Sequence, residues 1–233
     1  MRIPEPLHNW DVTPKEAREI QTRLRPRIEQ KAALHDYRFV AGADLSISPG
    51  GRSRGKAFYV ACIVLWDRES RSIVETQTTN GELSFPYVPG LLSFREVPAI
   101  LSTLKNLRAT PNAIMCDGQG FAHPRRFGLA CHLGVLLDMP TIGCAKSRLC
   151  GTHGPVDESR GEQVPLMDKQ ETIGAVVRTR DKVKPLYVSV GHRMDLQTAV
   201  KIVLACTAGF RLPEPTRHAH KLAGDAMGQS KKR

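Results

Sequence analysis

Phe39-Val40-Ala41-Gly42-Ala43-Asp44-Leu45-Ser46-Ile47 is an apolar run of strand length broken by a single carboxylate. A carboxylate inside such a strand is costly unless it is paired or bound to a metal. The ordinary alternative is an Asp44 on the solvent face of an edge strand. A second apolar run, Ala113 to Cys116, ends at Asp117-Gly118, where Asp can simply form a turn. If the two runs are neighbouring strands, Asp44 and Asp117 reach one end of the sheet, where α/β folds place ligands.

The elements around these runs support a sheet with helices packed on it. Thr13-Pro14-Lys15-Glu16 is a capping box that should open a helix to about Lys31, with Ile20, Leu24 and Ile28 along one stripe. Three strands are predicted at Phe39–Ile47, Lys56–Trp66 and Ser72–Thr79, and their short links favour an antiparallel meander. Ser93 and Glu96 read as a second capping box, for a helix to about Leu107. Beyond the Ala113–Cys116 strand, a helix is expected from Pro124 to about Leu137, then a strand from Pro140 to Ala145. Residues 151–170 read as loop. Strands at Thr172–Arg178 and Pro185–Val190 precede a helix capped by Asp195, and another helix starts near Pro215 or Thr216. One domain over residues 1–223 is expected, with 224–233 a fraying basic tail. The order matches a ribonuclease H-like α/β architecture: a mixed central sheet flanked by helices.

Glu96, in the first turn of the helix between the two acidic strands, can close a cluster with Asp44 and Asp117, although capping duty also explains it. Three clustered carboxylates favour a shared proton or a bound cation. Hard oxygen ligands select Mg²⁺ or Mn²⁺ over zinc, and such an ion supports phosphodiester cleavage. Gly118-Gln119-Gly120-Phe121-Ala122-His123-Pro124-Arg125-Arg126 follows directly. Its glycines allow close backbone approach, and Arg125 and Arg126 bring positive charge to a helix start. No Gly-Lys-Ser/Thr follows, so it is not a P-loop. His123 is either a base, a neighbour of the metal, or structural. Lys146 can hold a phosphate, while nearby Arg148 serves equally as a surface charge. Tyr87 stands between Pro86 and Pro89, a stiff mount for a ring that either stacks on bases or packs in the core.

Composition narrows the partners. Lys plus Arg number 34 against 23 Asp plus Glu, a net charge of +11, which favours an anionic partner such as nucleic acid. No segment has the apolar length to span a bilayer, and no membrane partner is expected. The six cysteines form no Cys-x-x-Cys pair, which argues against zinc and dithiol redox chemistry. Dispersed thiols and a start without an apolar leader place the chain in a reducing cytoplasm, where a monomer is expected.

The ordered set of motifs resembles the endonuclease V family. It comprises Val40 to Ser46, Phe85 to Glu96, Asp117 to Arg125, Pro140 to Leu149 and Arg211 to Arg217, within a resemblance from about residue 8 to about 222. The resemblance implies a ribonuclease H-like fold and Mg²⁺-dependent hydrolysis of the second phosphodiester bond 3′ to deoxyinosine or inosine, in DNA repair. It assigns Asp44 and Asp117 to the metal, Glu96 as the third acidic catalytic residue, His220 as the active-site histidine and Lys146 to the scissile phosphate. It makes Tyr87 the strand-separating wedge. Backbone near Pro86, Pro89 and Gly90, and around Gly128 and Leu129, would line the pocket for the flipped base. DNA with deoxyinosine is the implied partner, with inosine-containing RNA as the alternative. Cys131 departs from the Ser common before the histidine at position 132, and 154–162 matches nothing specific.

Two rivals remain open. Another ribonuclease H-like nuclease, such as a junction resolvase, has no need of a Pro-Tyr-Val-Pro loop. A non-catalytic nucleic-acid binder has no use for three carboxylates that repel phosphate.

Overall fold

The computed structural model describes residues 1–33, 36–48 and 57–230. Its frame grows from the Phe39–Ile47 run, which forms strand β1. β1 pairs antiparallel with β2 (Phe58–Asp67), placing Asp44 opposite Cys62, and β2 pairs antiparallel with β3 (Ser72–Glu82). The expected meander is therefore present; Lys56, the predicted start of the second strand, lies outside the described residues. On its other side β1 runs parallel to β4 (Ala113–Cys116), with Ala43 beside Cys116, and β4 runs parallel to β5 (Thr141–Ala145). β6 (Gln163–Asp168), β7 (Glu171–Val177) and β8 (Leu186–His192) form an antiparallel ladder that joins β5 through β8. The sheet order is β3-β2-β1-β4-β5-β8-β7-β6, a ribonuclease H-like mixed sheet in a single domain.

Among the described residues there are five α-helices, α1 (Pro14–Leu24), α2 (Leu92–Leu104), α3 (Leu129–Leu137), α4 (Leu196–Ala205) and α5 (Glu214–Ser230), with α1 packed on α3. α2 and α3 bury Ile100, Leu104 and Leu133 against Ala41, Ile63 and Ile114. α5 lies against the sheet with Ala219 and Ala223 beside Cys62 and Val64. Small residues permit this close seat. A Cβ on Gly42 would stand 2.1 Å from the carbonyl carbon of Pro215, so β1 needs glycine where the start of α5 crosses it.

Several boundaries differ from expectation, each for a local reason. The Thr13–Glu16 capping box is made, but α1 stops at Leu24 in a 3₁₀ turn over Arg25–Arg27, where Pro26 lacks an N–H and its ring clashes with the preceding turn. Ser93 is not a cap. It lies inside α2, and its Oγ is 2.9 Å from His132 Nδ1. α3 starts at Leu129 instead of Pro124, because Arg126 takes a positive φ of 56° that breaks a helix. Residues 163–168, read as loop, form β6. Leu166 is buried there, and Pro165 is tolerated because β6 is an edge strand. α5 continues to Ser230, so the tail expected to fray after Ala223 is helical that far; 231–233 lie outside the described residues.

Candidate active site

The parallel pairing of β1 and β4 brings the two aspartates together. The Asp117 N–H donates to the Ala43 carbonyl at 3.3 Å, so Asp44 and Asp117 leave neighbouring strands at the same level. α5 brings His220 over them, with Nδ1 2.7 Å from Asp44 Oδ2. One donor atom from each of Asp44, Asp117 and His220 lies within 4.8 Å of the others. Lys146, just past β5, makes an ion pair with Asp117.

Glu96 approaches from the first turns of α2. Burial, then the Asp44 and Asp117 charges, push its carboxyl up to about 8. Burial and Asp117 also raise Asp44, while His220 and Lys146 pull it back. Three carboxyl groups thus share one region, with Lys146 and His220 offsetting only part of their mutual repulsion. Two carboxylates and an imidazole at this spacing are a donor set that fits a divalent cation.

A cavity of about 370 Å³ opens beside this cluster and shares Asp117 and Lys146 with it. One wall is the loop from Tyr87 to Gly90; the opposite wall includes Gly118, Gly128 and Leu129. The Tyr87 ring is 70% exposed at the rim, which removes the core-packing alternative. Phe85, in contrast, is buried against Phe94, with ring centroids 5.6 Å apart, and anchors the loop. Gly128 caps α3, and a Cβ there would sit 2.4 Å from the Gln119 carbonyl oxygen, so the wall stays bare backbone.

Arg126 does not face a ligand. Its guanidinium is buried and bonded to Asp168 at 2.6 Å and Glu171 at 2.7 Å, so the expectation that it holds a phosphate fails on geometry. Arg125 is also turned inward, giving Nη2 to the Gly90 carbonyl at 2.7 Å and Nε to Gln21 Oε1 at 2.6 Å. His123 lies beside the cavity, away from the carboxylate cluster. It bonds Gly90 O through Nε2 at 3.0 Å, and burial with Arg125 nearby pushes its pKa down to about 4. It is therefore a neutral structural imidazole, bonded to the pocket wall.

Gln21 is the lining residue that the sequence reading passed over. It lies on the buried stripe of α1 with Ala17, Ile20 and Leu24. A lone amide on an apolar stripe was the available signal, since such a group must find partners. His132, noted only as a neighbour of Cys131, joins His8 and Ser93 in a buried chain. Cys131 Sγ donates to the Val190 carbonyl at 3.5 Å.

A ribonuclease H-like sheet here carries Asp44 within β1 and Asp117 just past β4, the arrangement of a hydrolase site, and the family comparison gives it a class. The family profile described as Endonuclease V matches residues 21–221. Endonuclease V of Roseiflexus castenholzii is 49% identical over 220 residues, covering 94% of this chain and 96% of the relative. The crystal structure of Endonuclease V from Streptomyces avermitilis superposes with a TM-score of 0.86 at 41% identity, over 99% of this chain and 98% of that one. Ciona intestinalis Endonuclease V, solved in complex with a 24mer DNA containing an inosine followed by a ribo-adenosine, superposes with a TM-score of 0.80 at 32% identity, over 92% and 98%. This chain belongs to the Endonuclease V family and is an endonuclease.

Proposed function

We propose that this endonuclease recognises deoxyinosine in DNA and, with a bound Mg²⁺, hydrolyses the second phosphodiester bond on its 3′ side as a step of DNA repair in the cytoplasm. The observation that carries the reading is the shared wall: a cavity with room for a base and the carboxylate cluster meet at Asp117 and Lys146. The inosine-containing DNA bound by the Ciona relative supports the choice of base.

Asp44 and Asp117 would hold the metal, with His220 beside them; when bound, it supplies Lewis-acid polarisation of the phosphate and activation of water. Tyr87 fills the gap left by an extruded base, and the bare backbone of Gly90, Gly128 and Leu129 receives it. Adenine and its deaminated form differ at the exocyclic group and the ring nitrogen, a difference that fixed backbone donors and acceptors can read. Lys146 sets an ammonium at the junction of cavity and cluster, where the strand's phosphate must pass. The Nδ1 bond of His220 to Asp44 fixes the ring, leaving Nε2 to carry a proton to or from the cleaved strand. Glu96, with its raised carboxyl, keeps a proton near neutral pH until a cation offsets the charge around it.

The test is cleavage of matched DNA and RNA strands, each with and without one inosine, in Mg²⁺ and in excess chelator. Faster cutting of inosine-containing DNA, in metal only, supports the reading. Preferred cutting of the RNA moves the substrate to RNA, and equal cutting of unmodified strands ends it.

A further inference from the structure

We infer that Gln21 is a positioning residue that ties Gly90 to Phe127 and so holds the two walls of the cavity at the spacing a deaminated purine fills. The inference rests on the proposed reading of the cavity as a base pocket. Gln21 is 1% exposed on a helix that contributes no strand and neither of the walls formed by the Tyr87–Gly90 loop and the start of α3. Its Nε2 donates to the Gly90 carbonyl at 3.0 Å and to the Phe127 carbonyl at 3.0 Å, and its Oε1 accepts from Arg125 Nε at 2.6 Å. Two carbonyls on one side and a guanidinium on the other leave the amide a single orientation.

Gly90 is the last residue of the loop that presents Tyr87; Phe127 directly precedes Gly128. One amide nitrogen therefore joins these two lining segments. The Gly90 oxygen is held further by Arg125 Nη2 at 2.7 Å and by His123 Nε2 at 3.0 Å. His123 Nδ1 accepts the Arg125 N–H at 3.1 Å, which leaves the ring proton on Nε2 to face Gly90. Backbone donors and acceptors cannot be re-aimed by a change of rotamer. When both walls read one planar base, their separation alone decides whether all bonds form at once. Among the described residues, the Gln21 side chain alone hydrogen-bonds both Gly90 and Phe127.

The test compares wild type, Gln21→Met and Gln21→Glu on a single-stranded deoxyoligonucleotide with one deoxyinosine and on its deoxyadenosine counterpart. Methionine keeps the volume and removes all three bonds; glutamate keeps an acceptor for Arg125 and loses both donors. We expect Gln21→Met to raise KM on the deoxyinosine strand about tenfold with kcat within about twofold, and to lower the inosine-to-adenine ratio of kcat/KM about tenfold. Gln21→Glu should be at least as impaired. Amide exchange without substrate should accelerate at Leu91 and Gly128, and stay unchanged in β1 and β4. Wild-type KM and exchange in Gln21→Met, or full activity in Gln21→Glu, overturns the inference. Equal kcat losses on both strands with faster exchange across the sheet also overturn it, because they mean general destabilisation. A wild-type enzyme without preference for inosine sinks the base-pocket reading, while the exchange result still decides whether Gln21 couples the walls.

Discussion

His8 and His132 face each other through their Nε2 atoms at 2.7 Å, joining the segment before α1 to the buried middle of α3. One ring must donate and the other accept, so the two facing Nε2 atoms cannot both carry a proton. Burial lowers both pKa values, and it lowers His132 well below the usual histidine value of 6.5.

That relationship gives the stability a pH dependence whose sign is fixed. Histidines with depressed folded pKa values contribute stability that is complete above about 6.5 and is lost as pH falls toward the folded values. His123, at about 4, acts in the same direction. Glu96, raised to about 8, acts in the opposite direction, because the folded state then binds the extra proton. A variant isolates the pair. Between pH 6.5 and 5, wild type should lose stability more steeply than His8→Phe, by up to about 1.4 kcal/mol per pH unit for one proton. Urea midpoints at three pH values decide it, and parallel curves would remove the linkage.

Loss of Arg126 should read as instability and not as weaker strand binding. Arg126→Met leaves Asp168 and Glu171 without their partner and removes the guanidinium bond to the His123 carbonyl. A cost of about 1–3 kcal/mol in unfolding free energy is expected. The slope of log affinity against log salt should be unchanged, whereas a lost phosphate contact would reduce it by roughly 0.7–0.9. A reduced slope would return Arg126 to the nucleic-acid surface.

Asp44→Asn and Asp117→Asn should each cut cleavage roughly a thousandfold or more, about 4 kcal/mol of transition-state stabilisation. Neither should lower the melting temperature in chelator, since each removes a like charge from the region that pushes Glu96 up. Activity that survives verified metal removal would contradict the mechanism; a lower melting temperature would give the carboxylates a structural role.

Tyr87→Ala should discriminate between substrates. With its ring exposed at the cavity rim, its loss should harm cleavage of inosine in a paired duplex most, where extrusion costs a few kcal/mol, and single strands least. Asp44→Asn, which removes chemistry, should affect both alike. Equal Tyr87→Ala losses on both substrates would leave stacking but no wedge.

Local patterns carried the sheet. β1 and β4 are apolar runs, and the carboxylates within one and just after the other stand out as a pair, although each alone has an ordinary edge-strand or turn explanation. Partners distant in sequence were harder to read. Ser93 and Glu96 have capping-box spacing, yet Ser93 turns to His132, 39 residues away, and Glu96 turns toward Asp44 and Asp117. Arg126 resembles a phosphate ligand until β6 and β7, absent or shifted in the sequence reading, place Asp168 and Glu171 beside it. Gln21 looked like one more polar residue on a charged helix, because its partners are backbone carbonyls that carry no side-chain signature.

The strand order has a mechanical consequence. β1, β4 and β5, which deliver Asp44, Asp117 and Lys146, have two strands outside them on one side and three on the other. Fraying must first peel away β3 and β2, or β6, β7 and β8, before it reaches a strand that aims a residue of the proposed site. The rim of the sheet can therefore drift in sequence and breathe thermally while the interior keeps its alignment, and Ile73 and Val74, exposed on β3, sit where such drift costs the reaction least.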